Sequence, residues 1–137
     1  MTSTLIDTNI LIDIFGIFQP ERDWAARKLT ELRPVGRLLI NQIVFSELAS
    51  MLPFDRLLNA LSTIQIEREN LSFEASWFAG DAHANYRKAG GNRERTLPDF
   101  LIGAHAANSG YRLLTRDPKR YRSYFTDLKI IAPDTHP

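Results

Sequence analysis

The stretch Thr4-Leu5-Ile6-Asp7-Thr8-Asn9 decides the fold of this chain. Its first half belongs to an apolar run, Ser3 to Ile6, that is typical of a short buried strand. Its second half supplies the turn and N-cap of a helix that we expect to reach about Phe15. A strand that passes directly into a helix is typical of parallel sheets, because parallel strands need a long crossover connection. Asp7 then lies at the carboxyl end of a strand, where such sheets bind ligands.

Acidic residues follow two further predicted strands. Glu47 lies on the helix that comes after the strand Arg37 to Ile40, and Asp117 follows the strand Arg112 to Thr115. The carboxyl ends of parallel strands meet at one edge of the sheet. We therefore expect both side chains on the edge that carries Asp7.

A fourth acidic residue, Asp99, lies in the first turn of a helix that begins near Pro98. A helix in a crossover runs antiparallel to the strands it links, so its N-terminus lies over the edge where those strands end. The sequence thus predicts that carboxylates from four separate segments converge: Asp7, Glu47, Asp99 and Asp117.

Along the rest of the chain, proline, glycine and capping residues separate the apolar stretches and predict a regular alternation of strands and helices. Helices are expected over Arg22 to Leu32, Asp55 to Leu61, Ser72 to Lys88, Pro98 to Ser109 and Lys119 to Tyr124, and strands over Thr63 to Ile66 and Lys129 to Ala132. This order favours an α/β fold with a mostly parallel central sheet and helices on both faces. The length of 137 residues favours a single domain, residues 1–137.

The composition is that of a globular protein without disulfides or membrane-spanning segments. Hydrophobic residues make up 44% and charged residues 24%, which is ordinary for a globular domain. Cysteine is absent, which excludes disulfides and thiolate metal sites and fits a reducing cytoplasm. The uncharged run Phe100 to Tyr111 is too short for a membrane span, and the N-terminus does not resemble a secretory signal. We expect a cytoplasmic protein without membrane segments.

Charge is distributed unevenly along the chain. Residues 1–84 carry 7 basic and 11 acidic side chains, whereas residues 85–137 carry 10 basic and 5 acidic ones. A basic surface beside an acidic cluster suits a polyanion whose backbone approaches metal ions. The alternative is that the basic residues form solvated helix faces and a loop.

Clustered carboxylates repel one another unless a cation joins them. Oxygen-only ligation favours Mg²⁺ or Mn²⁺ over zinc, and such ions support metal-assisted hydrolysis of phosphodiesters. Each residue alone has a simpler interpretation: Asp7 as a helix cap, Asp99 as a partner of the helix dipole, Asp117 as a turn residue and Glu47 as a surface carboxylate. Three polar residues either hold the carboxylates and metal-bound waters or serve turn chemistry: Thr8, Asn9 and Thr115.

Four stretches in this order resemble the PIN-domain ribonucleases, and more narrowly the VapC-type toxins of type II toxin–antitoxin modules. The stretches are Leu5-Ile6-Asp7-Thr8-Asn9, Glu47 after a strand, Thr96 to Ala106, and Leu113-Leu114-Thr115-Arg116-Asp117. The resemblance covers nearly the whole chain. It implies a three-layer α/β/α PIN fold and a Mg²⁺- or Mn²⁺-dependent endoribonuclease acting on RNA.

The resemblance also implies roles for individual residues and partners. Asp7 and Asp99 would be the principal metal ligands, Glu47 and Asp117 would complete the acidic site with Asp117 a further metal ligand, and Thr115 would be its supporting hydroxyl. Family members commonly form homodimers and are silenced by a small antitoxin protein. Whether one or two ions act stays open. From charge and position, we expect four residues to bind RNA phosphates: Arg93, Arg95, Arg116 and Lys119.

Two other functions remain as alternatives. One is a catalytically inactive PIN-like module that acts through protein contacts. The other is a phosphatase with Asp7 as nucleophile, as in haloacid-dehalogenase-like enzymes, although Asn9 stands where those enzymes need a second aspartate. His105 is expected to serve packing or a subunit contact. Three aromatic residues are expected in the core or an interface: Phe73, Trp77 and Phe78.

Overall fold

The structure, a computed structural model, describes residues 2–137. Within them lie five strands: β1 (Thr4–Ile6), β2 (Leu38–Ile40), β3 (Glu67–Arg68), β4 (Arg112–Leu114) and β5 (Ile130–Ile131). Six α-helices connect them: α1 (Thr8–Phe15), α2 (Gln19–Leu32), α3 (Gln42–Leu48), α4 (Phe54–Thr63), α5 (Phe73–Lys88) and α6 (Leu97–Ser109). A 3₁₀ helix spans Pro118–Arg120. No helix within residues 2–137 is long and apolar enough to cross a bilayer.

The five strands form one sheet in the order β3-β2-β1-β4-β5, and every pairing is parallel. From β1 the chain moves outward through β2 to β3, then returns to the other side of β1 for β4 and β5. The strand order therefore reverses between β1 and β4. Such a reversal opens a crevice outside the carboxyl ends of the two strands, where parallel sheets bind ligands. The predicted α/β/α architecture is confirmed.

The core forms because the central strands are apolar on both faces. Leu5, Ile6, Leu39 and Leu113 are all fully buried. Continuous apolar runs of this kind suit parallel strands covered by helices on both sides. A second apolar cluster joins α5 to α6 and is built from Ala79, Tyr86, Phe100 and Ala104.

The third strand was predicted in the wrong place. Residues 63–66 were expected to form it, but α4 continues to Thr63 and the strand is Glu67–Arg68. Gln65 has a φ of 60°, and the Ile66 amide donates to the Leu61 carbonyl. These features end a helix. The apolar residues that suggested a strand belong to that helix end.

Two helix boundaries also differ from the predictions. The segment expected to form a helix from Lys119 to Tyr124 forms only the 3₁₀ turn Pro118–Arg120, followed by further turns. Helix α2 begins at Gln19 rather than near Arg22. Proline in a first helical turn costs no hydrogen bond, so the helix includes Pro20 in its first turn and begins before it.

Helix α6 is fixed at both ends and in the middle. At its N-terminus, the Thr96 amide donates to Asp99 Oδ2 at 2.9 Å within a capping box. At its C-terminus, Gly110 has a φ of 70°, the left-handed conformation that glycine adopts without strain. In the middle, buried His105 bonds Asn41 at 3.0 Å and Glu69 at 2.9 Å. His105 thus serves packing, the first of its two expected roles.

We predict that Phe100→Ala lowers the free energy of unfolding by about 3 to 5 kcal/mol, because it empties a fully buried site between α5 and α6. Urea denaturation would measure the loss. Phe73→Ala is the matched control, since Phe73 is 96% exposed and its removal should change the free energy by less than about 0.5 kcal/mol. Equal effects of the two substitutions would contradict this description of the core.

Candidate active site

The carboxylate of Asp7 lies at the carboxyl end of the central strand, beside the crevice. Its Oδ1 accepts from the Thr8 amide at 2.7 Å. Its Oδ2 accepts from the hydroxyls of Thr115 and Tyr121, both at 2.8 Å, and from the Asn9 amide nitrogen at 3.4 Å. Asp7 is only 4% exposed, so these donors replace the water it has lost.

All of these donors are neutral. Within residues 2–137, no lysine, arginine or histidine forms an ion pair with Asp7. Burial therefore raises the pKa of Asp7 from 3.8 to about 6, although the hydrogen bonds from Thr115, Tyr121 and Thr8 work in the opposite direction. The negative charge of Asp99 adds to the increase. The same surroundings, chiefly burial and then the Asp7 charge, raise the pKa of the Tyr121 phenol well above its usual value, so Tyr121 stays a donor.

Thr115 connects Asp7 to the segment that carries Asp117. Its hydroxyl donates to Asp7 and accepts from the Asp117 amide at 3.0 Å and from the Asn9 side chain at 3.3 Å. Asn9 in turn accepts from the Arg116 amide at 3.1 Å. The turn after β4 is thus fastened to the turn after β1.

Asp99 approaches the same place from the N-terminus of α6 and is 6% exposed. Arg120 links it to Asp117: Nη1 of Arg120 lies 3.3 Å from Asp99 Oδ1, and Nε lies 2.8 Å from Asp117 Oδ2. The pKa of Arg120 is raised, because its attraction to the two carboxylates outweighs the burial that disfavours its charge. This arginine therefore holds two of the predicted acidic residues together.

Glu47 is connected to the other carboxylates through the hydroxyl of Thr8. Its Oε1 accepts from Thr8 Oγ1 at 2.6 Å, while the backbone amide of Thr8 donates to Asp7. Since Glu47 is exposed, it sits at the rim of the site. All four predicted carboxylates thus belong to one connected set of contacts at one sheet edge, and so do Thr8, Asn9 and Thr115.

The donor set fits a hard divalent cation. Asp7 and Asp99 present buried carboxylates that repel each other, and Asp7 has no cationic partner within residues 2–137. Mg²⁺ is commonly held by one or two carboxylates, waters and substrate phosphates. In the described part of the chain, no three carboxylate or histidine side chains are close enough to form a closed metal cage. An open site with two protein carboxylates is the arrangement that these residues allow.

A basic groove of about 650 Å³ adjoins the acidic residues. Four basic residues line it beside Asp117: Arg95, Lys119, Arg120 and Arg122. The central guanidinium carbon of Arg95 lies 5.7 Å from the ring centre of Tyr86 and 5.8 Å from that of Tyr124. These cation–π contacts hold the charge of Arg95 at the wall of the groove.

The other two predicted RNA-binding residues differ in their surroundings. Arg93 is exposed on the loop before α6. Arg116 forms a two-pronged ion pair with Asp13, with distances of 2.7 and 3.1 Å, and Asp13 is 6% exposed. The charge of Arg116 is therefore already matched inside the protein, and its contact with Asp13 ties α1 to the turn after β4.

The sequence reasoning missed Arg120, Tyr121 and Asp13. The sequence predicts a helix over Lys119 to Tyr124 but assigns none of its side chains except Lys119 to the site. A signal was present: Arg120 and Tyr121 lie three and four residues beyond Asp117, which places them one turn away from it. Asp13 lies six residues beyond Asp7 on α1, and nothing in the sequence identifies Arg116 as its partner.

The aromatic residues of α5 lie outside the core. Phe73 is 96%, Trp77 65% and Phe78 47% exposed. The expectation that they belong to the core is therefore wrong. Their exposure is compatible with the other expectation, an interface. A contiguous exposed aromatic face of this kind is typical of a protein contact.

Comparisons with known proteins agree with this geometry. The model of the PIN domain family matches residues 4–125. A search of curated proteins finds no match. Among solved structures, the chain is similar to VapBC-1 from nontypeable Haemophilus influenzae, with 21% identity, a TM-score of 0.73 and coverage of 96% of this chain and 98% of that chain.

Two other similar structures carry informative descriptions. A toxin–antitoxin complex from Klebsiella pneumoniae has 24% identity and a TM-score of 0.62, covering 88% of this chain and 91% of that chain. VapC20 from Mycobacterium tuberculosis, described as a Sarcin-Ricin loop cleaving toxin, has 14% identity and a TM-score of 0.57, covering 80% and 85%. At these identities the likeness supports the fold.

The raised pKa of Asp7 predicts a pH-dependent stability without metal. Because the folded state favours the protonated acid, stability from this group is fully present below pH 3.8 and is lost as pH rises through about 6. The loss is about 3 kcal/mol. Asp7→Asn removes the titration, so its free energy of unfolding relative to the unsubstituted protein should rise by that amount over this pH range.

Urea denaturation in EDTA across this range would measure the difference. Asp81→Asn, on the exposed surface of α5, is the control and should give a constant difference. A constant difference for Asp7→Asn as well would contradict the description of Asp7 as a buried charge without a cation.

Proposed function

The chain belongs to the PIN domain family, and on that premise we propose that it is a Mg²⁺- or Mn²⁺-dependent endoribonuclease, the toxin of a toxin–antitoxin module. The observation that carries the proposal is the pair of buried carboxylates, Asp7 and Asp99, at the reversal point of a parallel sheet and beside a basic groove. Ligand sites in such sheets lie at this point. The cleft thus offers both a place for a cation and a path for a polyanion.

Asp7 and Asp99 are the two residues that would hold the cation, and Asp117, which the resemblance makes a further ligand, is held beside Asp99 by Arg120 at the rim of the site. When bound, a hard divalent cation supplies Lewis-acid stabilisation of phosphodiester charge and lowers the pKa of a water. The chain itself supplies orientation. Thr115 and Tyr121 hold Asp7 Oδ2 at 2.8 Å each, which leaves its carboxylate a single preferred direction.

Glu47 completes the acidic site from its rim. Its contact with Thr8 at 2.6 Å places an exposed carboxylate next to the buried ones. We propose that Glu47 helps to position an attacking water, because its exposed carboxylate can accept a hydrogen bond from a water next to the buried carboxylates. Thr8 and Asn9 support it by fixing the turn that carries Asp7.

The basic groove is the proposed path of the RNA backbone. Arg95 and Lys119 line it, and Arg93 lies on the adjoining loop. These cations would neutralise phosphates and displace counterions. Arg116, which we also place beside the RNA, contributes less charge because Asp13 already pairs with it.

The proposed partners are a small antitoxin protein and a second copy of the chain. Support for a protein partner comes from the exposed apolar residues, including the α5 aromatic face formed by Phe73, Trp77 and Phe78. The toxin–antitoxin description of the Klebsiella pneumoniae structure adds support at the level of fold.

A catalytically inactive PIN-like module is the second candidate. The exposed aromatic face would serve it equally well. An inactive module, however, gives no reason to keep the Asp7 carboxylate buried without a cation, since burying an apolar or amide side chain there would cost less free energy. The nuclease proposal explains that cost.

We predict that Asp99→Asn lowers metal-dependent RNA cleavage by more than about 100-fold, because Lewis-acid catalysis is worth several kcal/mol. Gel analysis of RNA incubated with purified protein and Mn²⁺, with and without EDTA, would measure it. Asp81→Asn is the matched control and should retain full activity. Cleavage by Asp99→Asn at the unsubstituted rate would remove Asp99 from the site.

We also predict that Lys119→Ala weakens RNA binding and flattens its dependence on salt. Loss of one phosphate contact should reduce the slope of log affinity against log salt by about 0.7 to 1. Fluorescence anisotropy with a labelled RNA in EDTA, between about 50 and 200 mM salt, would give both slopes. Lys129→Ala is the control, because Lys129 precedes β5 at the opposite edge of the sheet. An unchanged slope for Lys119→Ala would place the RNA elsewhere.

A further inference from the structure

Arg120 contacts the acidic site from within the chain. Its guanidinium spans two carboxylates, with Nη1 3.3 Å from Asp99 Oδ1 and Nε 2.8 Å from Asp117 Oδ2. Within residues 2–137, no other lysine or arginine pairs with Asp99 or Asp117. The chain therefore places a permanent positive charge where a metal ion would also be attracted.

The two oxygens of Asp99 have different partners. Oδ2 accepts from the Thr96 amide at 2.9 Å and from the Thr96 hydroxyl at 3.2 Å, and so belongs to the cap of α6. Oδ1 has only Arg120 as a described partner. Because Oδ2 is needed to cap the helix, Oδ1 is the atom left for a cation. Arg120 and a metal ion would thus require the same oxygen.

We propose that Arg120 is an internal counter-ion that competes with the divalent metal for Asp99 Oδ1 and Asp117. In the protein without RNA, it lowers the affinity of the site for metal. This inference rests on the proposed function, since it concerns the metal that the function requires.

The position of Arg120 allows it to leave these carboxylates. Its side chain is 45% exposed, and it ends a single turn of 3₁₀ helix, so its guanidinium can rotate without disturbing the core. It also lines the basic groove beside Lys119. A phosphate in that groove would offer the guanidinium an alternative two-pronged partner. Phosphate binding would then free Asp99 for the metal, which makes RNA and metal binding mutually favourable.

The direct test is the affinity of the RNA-free protein for Mn²⁺, measured from the signal of free Mn²⁺ in electron paramagnetic resonance. Arg120→Gln should tighten binding about three- to tenfold, because it removes an ion pair that the metal must otherwise break. Arg120→Lys keeps the charge but lacks the planar fork that spans both carboxylates, so its affinity should fall between the two.

Arg37→Gln is the matched control. Arg37 comes directly before β2 at the opposite edge of the sheet, is 49% exposed and pairs with Glu67 and Glu69 rather than with the site. Its removal changes the net charge by the same amount and should leave Mn²⁺ affinity unchanged within about twofold at physiological salt, where distant charges are screened. Thermal melting would check that every variant is folded.

Each outcome has a definite meaning. Unchanged or weaker Mn²⁺ binding by Arg120→Gln, with the unsubstituted protein binding normally, would overturn the competition and leave the proposed nuclease function standing. The same holds if Arg37→Gln tightens binding as much as Arg120→Gln. If neither the unsubstituted protein nor Arg120→Gln binds Mn²⁺, the metal site itself is wrong and the inference fails with it.

Discussion

The constraint on which this structure depends is the burial of the Asp7 carboxylate at the end of the central strand. A buried charge is costly unless donors replace the lost water. The donors come from distant parts of the chain: Thr115 follows β4, and Tyr121 follows the 3₁₀ turn. Satisfying one carboxylate therefore fastens the segment after β4 to the turn after β1, and the same contacts that complete the fold assemble the site.

Topology determines which residues can reach this carboxylate. Because the strand order reverses between β1 and β4, the turns after these two strands border the same crevice. Helix α6 begins over that edge, and Asp99 lies in its first turn. The partial positive charge at the N-terminus of the helix stabilises the Asp99 carboxylate there. One oxygen of Asp99 caps the helix and the other faces the site. Helix stability and site geometry thus come from a single side chain.

The sequence predicts the strand–aspartate motifs well, because a buried run followed by an Asx turn is a short-range pattern. It also predicts their convergence, since parallel topology brings strand ends together. It does not give the contacts of Tyr121 and Arg120: their spacing from Asp117 places them about one turn away, but the expected helix forms only a single 3₁₀ turn, so the spacing does not fix where their side chains point. It also fails at β3, where buried Ile66 ends helix α4 and the strand that follows is polar and exposed.

The two buried carboxylates are compensated in different ways, and the difference has a consequence for function. The three closest donors to Asp7 are neutral and come from the buried residues Thr8, Thr115 and Tyr121, whereas Asp99 receives a half-exposed guanidinium that can move away. Neutral donors lower the cost of a buried charge without cancelling it, so an attraction for a cation remains. A fixed arginine at Asp7 would have cancelled that attraction permanently. Because Arg120 lies at the exposed side of the site, it stabilises the acidic cluster and can still be replaced at Asp99 by a cation.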